Sequence, residues 1–282
     1  MTPASISGWL ADPAQFAGTA GEAIHALDGI LGHESSADIT ALHTDGGGVS
    51  DIVFAVMHLL GLDFEPRIPR LSDRRLYAFE PSKRYGRLAP LFGHRLNRDL
   101  IVSHWPDIER VIGAIRHRTV TPSLILKKLS AYRQQNSLAA ALREIGRIER
   151  TLFTLRWFED PALRRTVTAE LNKGEARNAL ARAIFFNRLG ELRDRTFENQ
   201  RHRASGLTLV TAAVALWNTV YLERAVQHLR STGVAVPDEL LAHVAPLGWE
   251  HVGLTGDYLW SEIDRPRGRF RPLRTSAAER RP

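Results

Sequence analysis

The sequence predicts a mostly α-helical protein with a small β part, and three observations support this fold class. Residues 101–170 contain a series of amphipathic helical patterns joined by short connections. Residues 207–230 form one long apolar stretch with helical spacing. Two short segments, Ile39–Thr44 and Asp63–Ile68, flank a further helical pattern and are predicted as strands.

Composition narrows the class of protein and its partners. The chain has 282 residues, of which 44% are hydrophobic, so it can form one or two domains with a core and is not a disordered chain. The net charge of +7, carried mostly by arginine, favours an anionic partner such as nucleic acid, whereas a basic surface that serves only solubility is the alternative. The absence of cysteine excludes disulfides and thiolate metal sites.

The beginning of the chain carries few structural signals. Residues 1–18 are predicted to be an irregular lead, because proline and glycine interrupt them and no period persists. We see no signal peptide there. Residues 19–32 have the apolar spacing of a short helix, and Ile39–Thr44 is predicted as the first strand.

The next two elements are delimited by their end signals. Residues 50–60 are predicted to form a helix that Ser50 caps and Gly61 ends. The segment Asp63–Ile68 is predicted as a strand at a sheet edge, because Pro66 has no backbone N–H to donate to a neighbouring strand.

Asp45 is the first candidate functional residue. It lies in the stretch His43–Asp51, between the first predicted strand and a glycine-rich turn that leads into a helix. Folds of the α/β type place catalytic or metal-binding carboxylates at such strand ends. The motif taken alone also fits an aspartate in an ordinary glycine-rich turn.

Residues 69–100 are irregular and strongly basic, with aromatic rings between the cations. Such a mixture suits contact with phosphates and with unstacked bases. A solvated loop whose aromatic residues anchor it to the core explains the pattern equally well. The basic residues are Arg70, Arg74, Arg75, Lys83, Arg84, Arg87, Arg95 and Arg98, and the rings are Tyr77, Phe79, Tyr85, Phe92 and His94.

Residues 101–170 are predicted to form a compact insert of four amphipathic helices. Their starts are marked by Pro106, Thr121-Pro122, Ser137 and Asp160-Pro161, because prolines and short polar residues favour the first turn and the cap of a helix.

Glu175 is the second candidate functional residue. We predict a helix over residues 171–186 with Glu175 in its first turn, after Gly174. A carboxylate at that position is stabilised by the helix N-terminus, and a glutamate that serves only this purpose is the alternative.

The last third of the chain is predicted to be helical. The apolar stretch at 207–230 is interrupted by threonines and Asn218, so we predict a buried helix and not a membrane span. Pro237 begins a further short helix. The tail beyond Glu262 is rich in arginine and proline, and we expect it to be disordered and to touch DNA phosphates.

Many ordered segments of the chain resemble the C-terminal part of the transposases of the Tn-three family of replicative transposons. The resemblance covers about Ala23 to Glu262. Its clearest segments are Leu27–Leu31, His43–Asp51, Gly61–Phe64, Leu171–Leu180, Ala183–Phe186, Ala215–Ala225, Pro246–His251 and Leu254–Tyr258.

The resemblance implies an incomplete ribonuclease-H-like (DDE) core with a helical insert and a C-terminal helical region. The expected divisions are an irregular lead at 1–18, a partial core at 19–100, a helical insert at 101–170, a core helix carrying Glu175 at 171–204, a C-terminal helical region at 205–262 and a disordered tail at 263–282.

The resemblance also implies a triad of two aspartates and a glutamate that holds a divalent metal, Mg²⁺ or Mn²⁺. The family's second aspartate falls on Asp45 and its glutamate on Glu175, so both are expected to be catalytic and metal-binding. The family's first aspartate lies on a strand of a meander that precedes this point. Asp12 and Asp28 are the only acids early enough, neither has room for the meander before it, and we therefore expect the first carboxylate to be missing.

The implied activity is DNA transposition, in which water nicks the transposon end and the released 3′-hydroxyl attacks target DNA. The expected partner is DNA, both transposon ends and target. Lys173, Arg177 and Arg182 are candidate contacts to its phosphates, with plain surface charge as the alternative. Because one carboxylate is expected to be missing, we expect a truncated transposase that is inactive alone.

Two other functions fit the same sequence. One is a DNA-binding or regulatory protein that interferes with the full-length transposase by pairing with it. The other is an unrelated helical scaffold. An open sheet edge also predicts self-association. The expected location is the bacterial cytoplasm at the nucleoid, with no membrane partner.

Overall fold

The computed structural model describes residues 4–7, 22–32, 39–46, 49–131, 136–186, 196–241, 243–253, 256 and 273. They are mostly helical with one small sheet, which confirms the predicted fold class. The strands are β1 Ala4–Ser7, β2 Ile39–Thr44 and β3 Asp63–Pro66. The helices are α1 Glu22–Gly32, α2 Asp51–Leu60, α3 Arg98–Ser103, α4 Trp105–Arg116, α5 Pro122–Ala131, α6 Ser137–Glu159, α7 Pro161–Ile184, α8 Phe197–Ser231 and α9 Asp238–Leu241.

The sheet is parallel, with β2 between β1 and β3. Both predicted strands are confirmed. The outer strand β3 ends at Pro66, which has no backbone N–H to donate to a neighbouring strand. The prediction of an irregular lead is wrong for Ala4–Ser7, which pairs with β2 from Ala4 opposite Ile39 to Ser7 opposite His43. A strand of four residues is too short to show a hydrophobic period, which explains why the sequence pattern missed it.

Helix α2 has the ends that the sequence predicts. The Ser50 side chain accepts a hydrogen bond from the Val53 N–H at 3.3 Å, and Gly61 takes the left-handed conformation with φ of +82°. Between these ends Ile52–Met57 are buried. The helix therefore contributes its apolar side chains to the core directly after the loop that contains Asp45.

The core of the first part of the chain lies between the sheet and the helices α2 and α6. The Phe54 ring of α2 meets the Phe64 ring of β3 edge-on at 4.8 Å between centroids, and it lies 5.9 Å from the Phe153 ring of α6. Leu142 of α6 is completely buried in the same cluster. Helix α6 is thus part of the main core and not a peripheral addition.

The backbones of α2 and α6 approach each other very closely at Gly146. A Cβ atom added to Gly146 would lie 1.6 Å from the Asp51 carbonyl oxygen and 2.4 Å from its carbonyl carbon. These are backbone atoms that cannot rotate away as a side chain would. Only glycine therefore fits at this point of α6.

The four predicted helix starts in the insert are confirmed. Pro106 lies in the first turn of α4, and Pro122 begins α5. Helix α6 begins at Ser137, but its cap is Asn136, whose side chain accepts from the Ala139 N–H at 3.1 Å. Pro161 begins α7. A further short helix, α3, precedes these four.

The predicted start of a new helix near Gly174 is wrong. Helix α7 runs from Pro161 to Ile184 without interruption, so Gly174 lies in its interior. A glycine inside a helix costs only about 1 kcal/mol relative to alanine, and the residues around it include several strong helix formers. Helix propensity on both sides outweighs this local penalty.

The chain divides into two compact units, residues 1–174 and residues 175–282. In the second unit the predicted burial of the apolar helix is wrong, because only 11% of the most apolar window of α8 is buried. The buried positions Ala204, Thr211 and Asn218 follow a seven-residue spacing along one face of the helix. Among the described helices α8 alone is long and apolar enough to cross a membrane, which by itself is weak evidence for a membrane span.

Asn218 holds the segment that follows α9 against α8. Its amide nitrogen donates to the carbonyl oxygens of Pro246 at 3.0 Å and Gly248 at 2.8 Å. Its amide oxygen lies 2.8 Å from the His251 Nε2 atom, and the His251 ring stacks on Trp217 at 5.3 Å between centroids. The predicted disorder of residues 263–282 concerns a tail that, apart from Leu273, lies outside the described residues.

The close approach at Gly146 predicts a large effect of one methyl group. We expect Gly146→Ala to lower the free energy of unfolding by at least about 2 kcal/mol, because the added carbon forces α2 and α6 apart. Urea unfolding followed by circular dichroism measures this change.

The matched control is Gly113→Ala, since Gly113 also lies inside a helix but has open space around an added Cβ. We expect this variant to gain about 0.5–1 kcal/mol from the better helix propensity of alanine. Equal effects of the two substitutions would contradict the account of this contact.

Candidate active site

Asp45 directly follows the central strand β2, and its side chain is exposed. The next residue, Gly46, lies against Pro69, because an added Cβ would come 2.8 Å from two carbons of the proline ring. Glycine therefore allows the turn after Asp45 to pass close to the segment after β3. The predicted strand before Asp45 and the helix capped by Ser50 after it are confirmed, and they place Asp45 at the carboxyl edge of a parallel sheet, where ligand sites are common.

A buried polar pair lies beside Asp45 at the same sheet edge. His43 and Glu65 occupy opposed positions of β2 and β3, and the His43 Nδ1 atom is 3.5 Å from a Glu65 carboxylate oxygen. Both residues are buried, with 2% and 8% of their surface exposed. The Arg156 guanidinium of α6 reaches the other Glu65 oxygen at 3.3 Å. This arrangement stabilises the Glu65 carboxylate at the end of β3.

Asp51 connects the end of the Asp45 loop to α6. One carboxylate oxygen lies 2.5 Å from Arg150 Nη1, and the other lies 3.3 Å from Arg147 Nε. The two guanidinium carbons also lie over the Tyr77 ring, at 5.1 and 5.4 Å from its centroid. The three charged side chains are between 14% and 21% exposed, so water screens these ion pairs only partly.

Sequence analysis did not identify the contact between Asp51 and the two arginines. Two signals were present: Asp51 closes the glycine-rich stretch, and Arg147 and Arg150 are three residues apart on one predicted helix. Nothing local relates them, because about one third of the chain separates Asp51 from both arginines. The structure assigns the group a positioning role, since it fixes the backbone that leads out of the Asp45 loop.

Asp28 has a structural role in α1. Its carboxylate accepts a hydrogen bond from the Ser123 N–H at 2.9 Å, in the first turn of α5. This contact supplies an acceptor for a helix N-terminus from a distant part of the chain. The other early acid, Asp12, lies outside the described residues.

Glu175 is exposed on α7, fourteen residues after the helix begins. The prediction that it lies in the first turn of a helix is therefore wrong, and no helix N-terminus stabilises its carboxylate there. Its side chain is available at the surface of the helix. Its predicted catalytic role stays a prediction.

The three cations predicted to touch DNA lie on the same helix as Glu175, in different surroundings. Lys173 is exposed, and its Nζ atom is 2.6 Å from the carboxylate of the partly buried Glu170, one turn earlier on the helix. Arg177 is half-buried, and this burial lowers its pKa from the ordinary value, although arginine remains protonated at neutral pH. Arg182 is exposed in the last turn. The helix thus presents positive charge on both sides of Glu175.

The predicted metal ligands belong to different compact units, Asp45 to residues 1–174 and Glu175 to residues 175–282. Each is an exposed carboxylate, and carboxylate oxygens are the ligands that Mg²⁺ prefers. The described residues contain no group of three or more histidine, aspartate or glutamate side chains that could hold a metal ion. The carboxylates of Asp45 and Glu175 are therefore suitable ligands for Mg²⁺, and a metal site that they share stays a prediction.

Comparison with known proteins shows similarity to transposases along most of the chain. The family model of the Tn3 transposase DDE domain matches residues 14–258. The chain is 54% identical over 260 residues to the transposase for transposon Tn2501 from Escherichia coli, which covers 92% of this chain and 26% of that protein. It is 57% identical over 254 residues to the transposase for transposon Tn21 from Escherichia coli, with 90% and 26% coverage.

A transposase from a second organism shows similar identity and coverage. The transposase for transposon Tn501 from Pseudomonas aeruginosa is 57% identical over 254 residues, again with 90% of this chain and 26% of the relative covered. The chain therefore spans about a quarter of the length of these curated relatives. Since the family model matches most of the chain and the identity exceeds one half, the chain belongs to the Tn3 family of transposases, within their DDE domain.

Proposed function

We propose that this chain carries part of the active site of a DDE transposase, which nicks DNA and joins strands with the help of a divalent metal. Asp45 and Glu175 serve as two of its metal-binding carboxylates. The observation that supports this most directly is the exposed Asp45 at the carboxyl edge of the parallel sheet, in a chain of the Tn3 transposase family. The unit β2–α2–β3 then forms part of a ribonuclease-H-like core.

In this proposal the residues of the chain have three roles, which are metal binding, positioning of the Asp45 loop and binding of DNA phosphates. Asp45 and Glu175 would hold Mg²⁺ or Mn²⁺, which when bound activates the attacking oxygen and stabilises the leaving one. The contact of Asp51 with Arg147 and Arg150 keeps the Asp45 loop in place. Lys173, Arg177 and Arg182 would bind phosphates of the transposon end or the target DNA.

A DNA-binding or regulatory protein is the second candidate function. It is favoured by the net charge of +7, because a basic surface binds DNA phosphates without needing a metal site. Such a protein would pair with the full-length transposase, or with itself, and reduce transposition. In either case we propose action in the bacterial cytoplasm, at the nucleoid.

We expect the chain alone to be inactive in strand transfer, because only two carboxylates, Asp45 and Glu175, fall on the three-carboxylate triad that the family resemblance implies, and two-metal chemistry needs the full set. The assay mixes the chain with a pre-cut end of the Tn21 transposon, a target plasmid, and Mg²⁺ or Mn²⁺. The full-length Tn21 transposase serves as the positive control. Joined product from this chain would refute the expectation.

Placed inside a longer relative, the same residues should support catalysis. We expect a Tn21 transposase in which this chain replaces the matching quarter to transpose a marker, and Asp45→Asn or Glu175→Gln to reduce the frequency at least about 100-fold. Loss of a metal ligand removes several kcal/mol of transition-state stabilisation, and each 1.4 kcal/mol is about tenfold in rate.

The control substitution in that hybrid is Glu159→Gln, which neutralises an exposed carboxylate at the end of α6. It should leave the frequency within about threefold of the parent, the size of effect expected of an exposed charge. If Asp45→Asn and Glu175→Gln behave like this control, the two carboxylates are not catalytic.

A further inference from the structure

The segment Arg70–Arg98 is strongly basic. It contains eight arginine and lysine residues and only two carboxylates, Asp73 and Glu80, so its net charge is +6, while the whole chain of 282 residues has a net charge of +7. We refer to it as the basic segment. A concentration of charge this strong is costly in a folded protein unless an anion binds to it.

The basic segment is fixed in place although it contains little regular structure. The Leu76 N–H donates to the Leu91 carbonyl oxygen at 2.9 Å, and the Gly93 N–H donates to the Leu76 carbonyl oxygen at 2.8 Å, which forms an isolated β-bridge between Leu76 and Phe92. Two side chains of α6 hold the backbone near both ends: Thr151 accepts from the Tyr77 N–H at 3.0 Å, and Glu144 accepts from the Asn97 N–H at 2.9 Å. Its cations are therefore presented on a preorganised surface.

Four of the five aromatic rings of the segment contact another ring, whereas the fifth, Phe79, is 39% exposed. Tyr85 stacks on Phe92 at 4.1 Å between centroids, with the rings nearly parallel. The Tyr77 ring meets His94 at 5.1 Å and lies beneath Arg147 and Arg150. Sequence analysis left open whether these rings bind unstacked bases or anchor the loop, and the contacts favour anchoring.

Most cations of the segment are exposed without an acidic partner. Arg84 pairs with Glu80 at 2.8 Å. By contrast Arg75, Lys83 and Arg87 are exposed, and no carboxylate in the described part of the chain forms an ion pair with them. Exposed guanidinium and ammonium groups on a fixed backbone match phosphate oxygens, which accept hydrogen bonds and carry charge.

The position of the segment relates it to the candidate active site. The Arg67 N–H donates to the Thr44 carbonyl oxygen at 2.8 Å, and Pro69 lies against Gly46, the residue after Asp45. The basic segment begins at the next residue, Arg70. A nucleic acid on this surface would therefore lead directly to the loop that carries Asp45.

We propose that the basic segment binds the phosphate backbone of double-stranded DNA without reading its sequence, and guides the duplex to the Asp45 loop. Duplex DNA is favoured over single strands because four of the five rings are engaged in contacts within the protein, and single strands bind by stacking on several free rings. The choice of DNA as the anion rests on the proposed function.

The test is fluorescence anisotropy of the full chain with a labelled random duplex of about 30 base pairs, at salt concentrations between about 50 and 200 mM. The triple variant Arg75→Gln, Lys83→Gln, Arg87→Gln should bind at least about tenfold more weakly at the lower salt. Because each lost phosphate contact lowers the salt dependence by about 0.9, its slope should fall by about 2–3.

The matched control removes three exposed cations elsewhere in the same unit, with Lys127→Gln, Lys128→Gln and Arg165→Gln. It should change the affinity by less than about threefold, because salt screens the attraction between DNA and cations that lie outside the basic segment. Circular dichroism melts of both variants should match the parent. Equal weakening by both variants, or by neither, would overturn the proposal.

Two further probes separate other partners from duplex DNA. If a single strand of the same length, or vesicles containing phosphatidylserine, bind as tightly and lose affinity in the same triple variant, the partner assignment is wrong. Asp45→Asn should not weaken duplex binding. If the Asp45 and Glu175 variants of the hybrid still transpose, the proposed catalysis is rejected but DNA binding by the basic segment is not. If the triple variant binds duplex DNA as tightly as the parent, only DNA binding by the basic segment is rejected.

Discussion

The contact between the start of α2 and the middle of α6 is the constraint on which the rest of the first unit depends. Gly146 lets the two backbones approach until an added methyl group would overlap the Asp51 carbonyl. At the same point the Asp51 carboxylate meets Arg147 and Arg150. Removing Asp51 would take the carboxylate partner from Arg150 in a partly buried site, which is more costly than losing an exposed pair, whereas Arg147 would keep its ion pair with Glu144.

Helix α6 extends this constraint to every part of the candidate site in the first unit. Arg156 reaches Glu65 at the end of β3, and Thr151 and Glu144 hold the basic segment near its two ends. The Asp45 loop, the strand ends and the basic surface are thus fixed to one helix. In sequence terms α6 belongs to an insert, but physically it orders the residues that a catalytic carboxylate and a bound duplex would need.

Local signals predicted the elements well where chemistry at one residue decides the backbone. Ser50, Gly61, Pro122 and Pro161 all begin or end helices where their hydrogen bonding or ring geometry requires. Local signals did not predict elements that depend on neighbouring segments. Strand β1 forms because β2 lies beside it, and α7 continues through Gly174 because residues on both sides of this glycine favour a helix. Asp45 could be selected from its local setting, whereas the contact of Asp51 with α6 could not, because it joins distant parts of the chain.

The measurement that tests this account most directly is amide hydrogen exchange of residues 45–56 after Asp51→Asn. The account predicts at least about tenfold faster exchange there, and a loss of about 3 kcal/mol in the free energy of unfolding. Asp107→Asn is the control, because Asp107 also lies in a first helical turn and pairs with Arg110 at 2.8 Å, but on an exposed surface. Equal exchange in the two variants would contradict the claim that α6 holds the Asp45 loop.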